Sequence, residues 1–152
     1  MKVRFSLLLF LVAFSSCIPM KTVMKWTSWE EEAIPTDFGK DESRLLILTG
    51  DKERLRNSIE TNLNLYYTGR YDYISAEELK SIDNTGYKDK VEYRYLLGYE
   101  REDMGGESTP LFYIQDRKSG QKYRPKQNYD NFNRILQCYF KNLEARRKVA
   151  KN

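Results

Sequence analysis

Apolar positions recur with a clear period from residue 44 onward. Leu45-Leu46-Ile47-Leu48 is a continuous apolar run, which predicts a central strand covered on both faces. After Thr49-Gly50, apolar residues recur every three or four positions, which predicts an amphipathic helix over residues 51 to 67. The positions that would form its buried face are Leu55, Ile59, Leu63 and Tyr66.

A second strand and a brief helix are predicted next. Residues 71 to 74 are rich in tyrosine and end on an isoleucine, which favours a strand. A crossover of this length makes the strand parallel to the first one, with a right-handed connection. Ser75 and Glu78 have the spacing of a capping box, which predicts a brief helix reaching Ile82.

Residues 91 to 99 alternate between two sets of side chains, as in a half-buried strand. The predicted inner positions are Val91, Tyr93, Tyr95, Leu97 and Tyr99. A loop at Met104-Gly105-Gly106 leads to a predicted strand at residues 111 to 114. Lys118-Ser119-Gly120 then predicts a turn into a short strand that ends before Pro125.

A second amphipathic helix closes the chain, with Asn128 or Asp130 as its predicted cap. Its predicted core positions are Phe132, Ile135, Leu136, Tyr139 and Leu143. The predicted fold class is therefore α/β (α+β), a single small domain over residues 44 to 152. It has a mixed sheet of about four or five strands and two main helices, in the order β-α-β-(α)-β-β-β-α.

The N-terminus has the order of a secretory signal peptide. Lys2 and Arg4 precede an apolar run over residues 7 to 14. As a helix this run would rise only about 12 Å, far less than a hydrocarbon core of roughly 30 Å. We therefore predict that residues 1 to 16 are removed and that Cys17 begins the mature chain.

Residues 18 to 43 show neither a strand nor a helix period, which favours a tether. We predict that residues 17 to 43 form a lipidated N-terminus and tether. Trp26 and Trp29 would expose much apolar area in a free linker. They are therefore expected to pack on the domain, to sit at the membrane interface or to contact a partner, and packing is the favoured interpretation.

The tetrapeptide Phe14-Ser15-Ser16-Cys17 resembles the lipobox of bacterial lipoproteins, with Phe14 at the position where leucine is usual. The resemblance implies that Cys17 carries lipid and anchors the chain to a membrane, since more than one acyl chain gives stable anchoring. No aspartate follows Cys17, and acidic residues begin only at Glu30. The resemblance therefore implies an outer-membrane location facing the periplasm.

The order of the predicted elements resembles the small α/β domain at the N-terminus of TolB and in the lipoproteins CsgG and LpoB. The best local matches are the strand at residues 45 to 48 leading to a long helix, and the strand at residues 71 to 74. Asp116-Arg117-Lys118-Ser119-Gly120 is similar to an Asp-x-x-Thr-Gly turn, with Ser119 in place of threonine. The resemblance covers about residues 44 to 147 and implies an envelope-assembly or regulatory binder, without transferring any site residue.

The amino-acid composition excludes several classes of function. The formal charge of +4 includes Lys2 and Arg4, so the mature chain is close to neutral and carries no nucleic-acid signal. Since the chain has no histidine, Ser-His-Asp and Cys-His catalysis and imidazole zinc sites are excluded. Cys138 lies in an apolar helix segment and is predicted to be a buried thiol.

We therefore predict no catalytic residues, no metal and no cofactor, and expect a non-enzymatic, lipid-anchored protein that binds an envelope protein. The candidate partner contacts are Trp26 and Trp29. A glycan or small-ligand binder that uses exposed aromatic rings is the alternative, although Tyr93, Tyr95 and Tyr99 are favoured as core. A hydrolase that uses two carboxylates across a cleft is the third hypothesis.

Overall fold

A computed structural model of the chain describes residues 18–50, 52–104, 107–126 and 132–151, except for the side chains of residues 102–104 and 107–109. Four predictions lie outside the described residues. They are the signal peptide over residues 1–16, the lipidation at Cys17, the Gly105-Gly106 loop and the cap at Asn128 or Asp130.

The described elements are four helices and five strands. The helices are α1 (Met20–Trp26), α2 (Glu53–Tyr66), α3 (Ala76–Lys80) and α4 (Phe132–Ala150). The strands are β1 (Leu45–Leu48), β2 (Tyr71–Ile74), β3 (Tyr95–Met104), β4 (Glu107–Asp116) and β5 (Lys122–Tyr123). Short 3-10 turns cover Trp29–Glu31 and Ile82–Asn84.

The five strands form one mixed sheet in the order β2-β1-β3-β4-β5. Strand β1 pairs in parallel with both β2 and β3, while β3-β4 and β4-β5 are antiparallel. Parallel pairing of β1 and β2 follows from the α2 crossover between them. The predicted fold class, a single small α/β domain with a mixed sheet, is confirmed.

The main core lies between the sheet and helices α1, α2 and α4. Helix α2 buries Leu55, Ile59 and Leu63, as its period predicted. The sheet and α4 contribute the buried residues Leu45, Ile47, Tyr95, Leu97, Phe112, Ile114, Ile135, Leu136, Tyr139, Phe140 and Leu143. The closing helix therefore packs through the predicted face.

The opposite face of the sheet is covered as well, by a smaller cluster. Leu46, Leu48, Ile74 and Leu96 are buried there. The segment between β2 and β3 packs over them through the partly buried side chains of Leu79, Ile82, Tyr87 and Tyr93, and Tyr99 of β3 adds to the cluster. The capping box at Ser75 and Glu78 is present and begins α3, which carries the chain onto this face.

The tether predicted over residues 18 to 43 is wrong, because most of this segment belongs to the folded domain. Val23, Ala33, Ile34 and Phe38 are all buried in the main core. Each short piece of the segment supplies only one or two core residues, so no period was visible. The domain boundary predicted at residue 44 therefore moves toward the N-terminus.

A glycine fixes this segment against the end of α4. Gly39 has a φ of +86°, a conformation that side chains with a Cβ rarely adopt. A Cβ at this position would lie 2.6 Å from the Cα of Arg147, which is closer than real Cβ contacts. The close approach of the two backbones therefore requires glycine.

The strand predicted over residues 91 to 99 is displaced, since β3 begins at Tyr95. Asp89 explains the difference: its Oδ1 accepts a hydrogen bond from the backbone N–H of Val91 at 2.7 Å, and its carbonyl accepts one from Tyr93 at 3.0 Å. This turn keeps Val91 and Tyr93 out of the sheet. Tyr93 therefore packs on the smaller cluster, while Tyr95 enters the main core.

Candidate functional site

A cleft of about 210 Å³ lies at the edge of the sheet where β1 and β3 begin. Its walls come from the loop before β1, the end of α2 and the end of α4. The polar residues that line it include Asp41, Glu42, Thr68, Arg70, Tyr95 and Arg147. This volume lies below the roughly 300–1,000 Å³ of typical ligand pockets.

Arg94 organises three carboxylates beside the cleft. Its guanidinium contacts Asp37, Asp41 at 3.1 Å and Asp116 at 2.9 Å. Asp116 is 5 % exposed and is also held by the backbone N–H of Lys118. Burial acts to raise the pKa of Asp116, but the hydrogen bond and charge of Arg94 outweigh it, so the pKa lies below its usual value.

Asp37 connects this cluster to the main core, because it accepts a hydrogen bond from the buried Tyr95 hydroxyl at 3.0 Å. Asp41 is held in addition by Ser43, whose hydroxyl donates to its carboxylate at 2.6 Å. Burial acts to raise the pKa of Asp41, but the hydrogen bonds from Ser43 and Arg94 lower it overall. The cluster therefore joins residues from distant parts of the chain.

Thr68 and Arg147 line the opposite wall, and the buried Glu144 holds both of them. The Thr68 hydroxyl donates to Glu144 at 2.7 Å, and Arg147 Nη2 donates to it at 2.7 Å. Burial acts to raise the pKa of Glu144, but these hydrogen bonds and the charge of Arg147 lower it to about 2. The carboxylate is 7 % exposed and locks the end of α2 onto α4.

These carboxylates are ion-paired, and this arrangement favours a structural role over catalysis. A general acid needs a raised pKa, whereas the pKa values of Asp41, Asp116 and Glu144 are all lowered. Within the described ranges, no group of three or more His, Cys, Asp or Glu side chains is arranged to hold a metal ion. Sequence reasoning missed this network, since the residues around Arg94 have no common motif.

A second cavity, of about 300 Å³, lies at the other end of the domain, where α2 and α4 begin. Cationic and apolar side chains share its lining. These residues are Lys52, Arg54, Leu55, Ser58, Arg101, Pro110, Phe132 and Asn133. The carboxyl ends of parallel strands, where such crevices form, also lie at this end.

Ile18, the residue that follows the predicted lipidation site, lies near this end. Cys17 lies outside the described residues, but Ile18 is partly buried and packs against the main core. The Ile18 carbonyl accepts a hydrogen bond from Arg134 Nη1 at 2.8 Å. The residue next to Cys17 is therefore fixed on the first turn of α4.

The two predicted partner contacts lie on the segment that packs on α4. Trp26 ends α1 and is half-buried. Trp29 is half-buried, packs against the main core, and has the Arg146 guanidinium 5.8 Å from its ring centre. The structure places Trp29 beside α4, and both tryptophans are only partly exposed to solvent.

The tyrosines predicted for β3 do not form one exposed platform. Tyr95 is 1 % exposed, whereas Tyr93 and Tyr99 are half-buried. Tyr87 and Tyr93 meet edge to face with ring centres 5.1 Å apart. Their aromatic surface is therefore largely used in packing.

Cys138 is fully buried, as predicted for a structural thiol. Its Sγ lies 3.2 Å from the Sδ of Met20, at the contact between α4 and α1. Burial raises the pKa of this thiol, which opposes formation of a nucleophilic thiolate. Cys138 therefore contributes to packing.

Comparisons with protein-family models, curated proteins and solved structures find no match for this chain. The resemblance to bacterial lipoproteins, and to the domains of TolB, CsgG and LpoB, therefore stays a prediction. Among the described helices, none is both long and apolar enough to cross a membrane.

Proposed function

We propose that the protein is a lipid-anchored protein of the bacterial cell envelope that binds another envelope protein without catalysing a reaction. Lipid on Cys17 would hold it at the outer membrane, facing the periplasm. The proposal begins from the N-terminal signal: a basic start, an apolar run and Ser15-Ser16-Cys17.

The main structural support for the proposed anchor is the position of Ile18. Ile18, the residue that follows Cys17, packs against the main core, and its carbonyl accepts a hydrogen bond from Arg134. Cleavage before Cys17 would thus leave every described helix and strand in place.

A non-enzymatic role is supported by the chemistry of the described clefts. The carboxylates beside the smaller cleft are paired with Arg94 or Arg147. Activation of water requires a carboxylate that is free to accept a proton. These carboxylates are instead held in ion pairs with arginine. Binding to a protein needs no such group.

The glycan-binding alternative receives less support. A stacking platform needs neighbouring rings exposed on one surface. Tyr95 lies in the main core and Tyr93 packs on the opposite face of the sheet. These two rings therefore cannot form a common platform.

Intact-mass analysis with detergent partitioning tests the anchor. The wild type, expressed in a diderm bacterium, is expected to begin at Cys17, to carry a lipid-sized mass increment and to enter the detergent phase. Cys17→Ala should lose the increment, whereas the matched control Cys138→Ala should keep it, since Cys138 is buried. An unmodified, water-soluble wild type would refute lipid anchoring.

Site-specific photocrosslinking tests protein binding. A photoreactive residue at Trp26 is expected to give a discrete crosslinked band in cells that disappears in Cys17→Ala. The control position is Leu65, which is 65 % exposed on another helix. Equal bands from Trp26 and Leu65, or none from Trp26, would contradict a specific partner surface at α1.

A further inference from the structure

We propose that the end of the domain around Ile18 docks on an anionic phospholipid bilayer through Lys21, Lys52 and Arg54. The domain would then lie on the membrane in one orientation instead of standing above it. Which end faces the bilayer rests on the proposed lipidation of Cys17. The electrostatic contact itself does not depend on the lipid and is tested without it.

The first step is the covalent distance between the anchor and the fold. Consecutive Cα atoms are about 3.8 Å apart, so a lipid on Cys17 would start within one residue of Ile18. Ile18 cannot swing away freely, because it packs against the core and its carbonyl is bound by Arg134. The surface next to Ile18 is therefore the surface that the anchor brings to the bilayer.

Contacts connect Ile18 to the cavity of about 300 Å³. Ile18 and Phe132 both pack against the main core, and Phe132 begins α4 two residues before Arg134. Phe132 also lines the cavity of about 300 Å³, together with Lys52 and Arg54. Ile18, the start of α4 and the start of α2 thus belong to one end of the molecule.

This end presents exposed cations. Lys21, Lys52 and Arg54 are all exposed, and no ion pair joins any of them to another residue in the described part of the chain. Glu53, which lies between Lys52 and Arg54 in the sequence, contributes a negative charge at this end. Phe132 is partly exposed and adds apolar surface beside the cations, a combination that suits the lipid interface.

The opposite end has a different electrostatic character. Its arginines are neutralised by nearby carboxylates: Arg94 by three aspartates, and Arg147 by Glu144. Arg70 likewise lies 3.7 Å from Glu42. The charges of these arginines are therefore less available to anionic headgroups than the charges of Lys52 and Arg54.

Anionic phospholipid fits both the position of the predicted anchor and the exposed cations at this end. A bilayer is the surface to which lipid on Cys17 would tie this end, and its anionic headgroups complement the three cations. Each lysine or arginine close to an anionic membrane strengthens binding by about fivefold. Loss of Lys52 and Arg54 together should therefore weaken binding by about 25-fold.

The test uses the mature chain, residues 17 to 152 with Cys17→Ser, and co-sedimentation with vesicles. Vesicles of phosphatidylcholine are compared with vesicles that also contain phosphatidylglycerol. Binding is expected only with phosphatidylglycerol and should weaken as salt is added, because salt screens exposed charges. Circular dichroism and thermal unfolding establish that every variant is folded.

The variant Lys52→Gln/Arg54→Gln is compared with Lys90→Gln/Lys118→Gln, which removes the same charge from exposed positions at the opposite end. The first pair should lower the partition coefficient by about 25-fold and the second by less than about twofold. Equal losses would mean that only net charge matters, and binding without phosphatidylglycerol dependence would also overturn the proposal. Since this chain carries no lipid, failure here leaves the mass analysis of Cys17 unaffected.

Discussion

Replacement of Ile34 by alanine tests whether the segment before β1 is folded onto the domain or is a flexible tether. Ile34 lies between the 3-10 turn at Trp29–Glu31 and β1, and it is 0 % exposed in the main core. In a solvated tether this substitution would have almost no effect on stability. In the observed packing it removes buried hydrocarbon and leaves a cavity.

The expected cost follows from the atoms removed. Isoleucine loses three carbon atoms on conversion to alanine, and each buried CH₂ contributes about 0.8 kcal/mol, so the transfer of hydrocarbon accounts for about 2.4 kcal/mol. The residual cavity adds to this cost, because the surroundings relax only in part. We therefore expect the free energy of unfolding to fall by about 3 kcal/mol.

Urea unfolding followed by circular dichroism and tryptophan fluorescence measures this change, with Trp26 and Trp29 as reporters within the segment. Both signals should shift to a lower urea midpoint together if the segment unfolds with the domain. The matched control is Leu65→Ala, since Leu65 is 65 % exposed, and it should change stability by less than about 0.5 kcal/mol. A cost for Ile34→Ala as small as that of the control would refute the packing of residues 20 to 38.

Two further predictions concern buried polar contacts of α4. Asn142 donates to the Met24 carbonyl and to Thr27 Oγ1, both at 2.8 Å. Asn142→Ala should therefore lower the free energy of unfolding in urea by about 1–3 kcal/mol. A loss no larger than that of Asn133→Ala, at an exposed position, would contradict this prediction. The pKa of Glu144 is lowered from 4.5 to about 2, so its stabilisation should be complete above about pH 4.5 and lost as the pH falls toward 2. Urea unfolding across this pH range measures the free energy of unfolding of wild type and of Glu144→Gln. The difference between the two should shrink as the pH falls. Parallel profiles would exclude a stabilising role for the ionised Glu144.

Elements with several core residues could be predicted from the sequence. Helix α2 presents Leu55, Ile59 and Leu63 on one face, and β1 is buried along its whole length. Hydrophobic periodicity needs repetition, and these elements supply it. The segment before β1 lacks repetition, because α1 buries only Val23 and the following loop adds single residues.

Strand β3 shows how local polar contacts shift a boundary that periodicity alone predicts. The alternation over residues 91 to 99 continues through Tyr93 and Tyr95 without a break. The Asp89 side chain nevertheless bonds the backbone N–H of Val91 and diverts the chain before Tyr95. An aspartate that bonds its own neighbouring backbone competes with the sheet, and this competition changes which face receives Tyr93.

The charged network around Arg94 was beyond sequence reasoning for a different reason. Its partners Asp37 and Asp41 come from the loop before β1 and Asp116 from the end of β4, and only the fold brings them together. The burial of Ile18 likewise depends on α4, more than one hundred residues away along the chain. Long-range contacts of this kind leave no local pattern.

The packing of residues 20 to 38 changes what a lipid anchor would achieve. A flexible tether over residues 18 to 43 would have a root-mean-square reach of roughly 28 Å, so the domain would search for partners well away from the membrane. With Ile18 held on α4, that reach falls to the length of one residue, about 3.8 Å. The surfaces of α1 and α4 near Trp26 would then meet only partners that lie at or in the same membrane. The photocrosslinked partner of Trp26 is therefore expected to fractionate with membranes, even when it is separated from the lipidated chain.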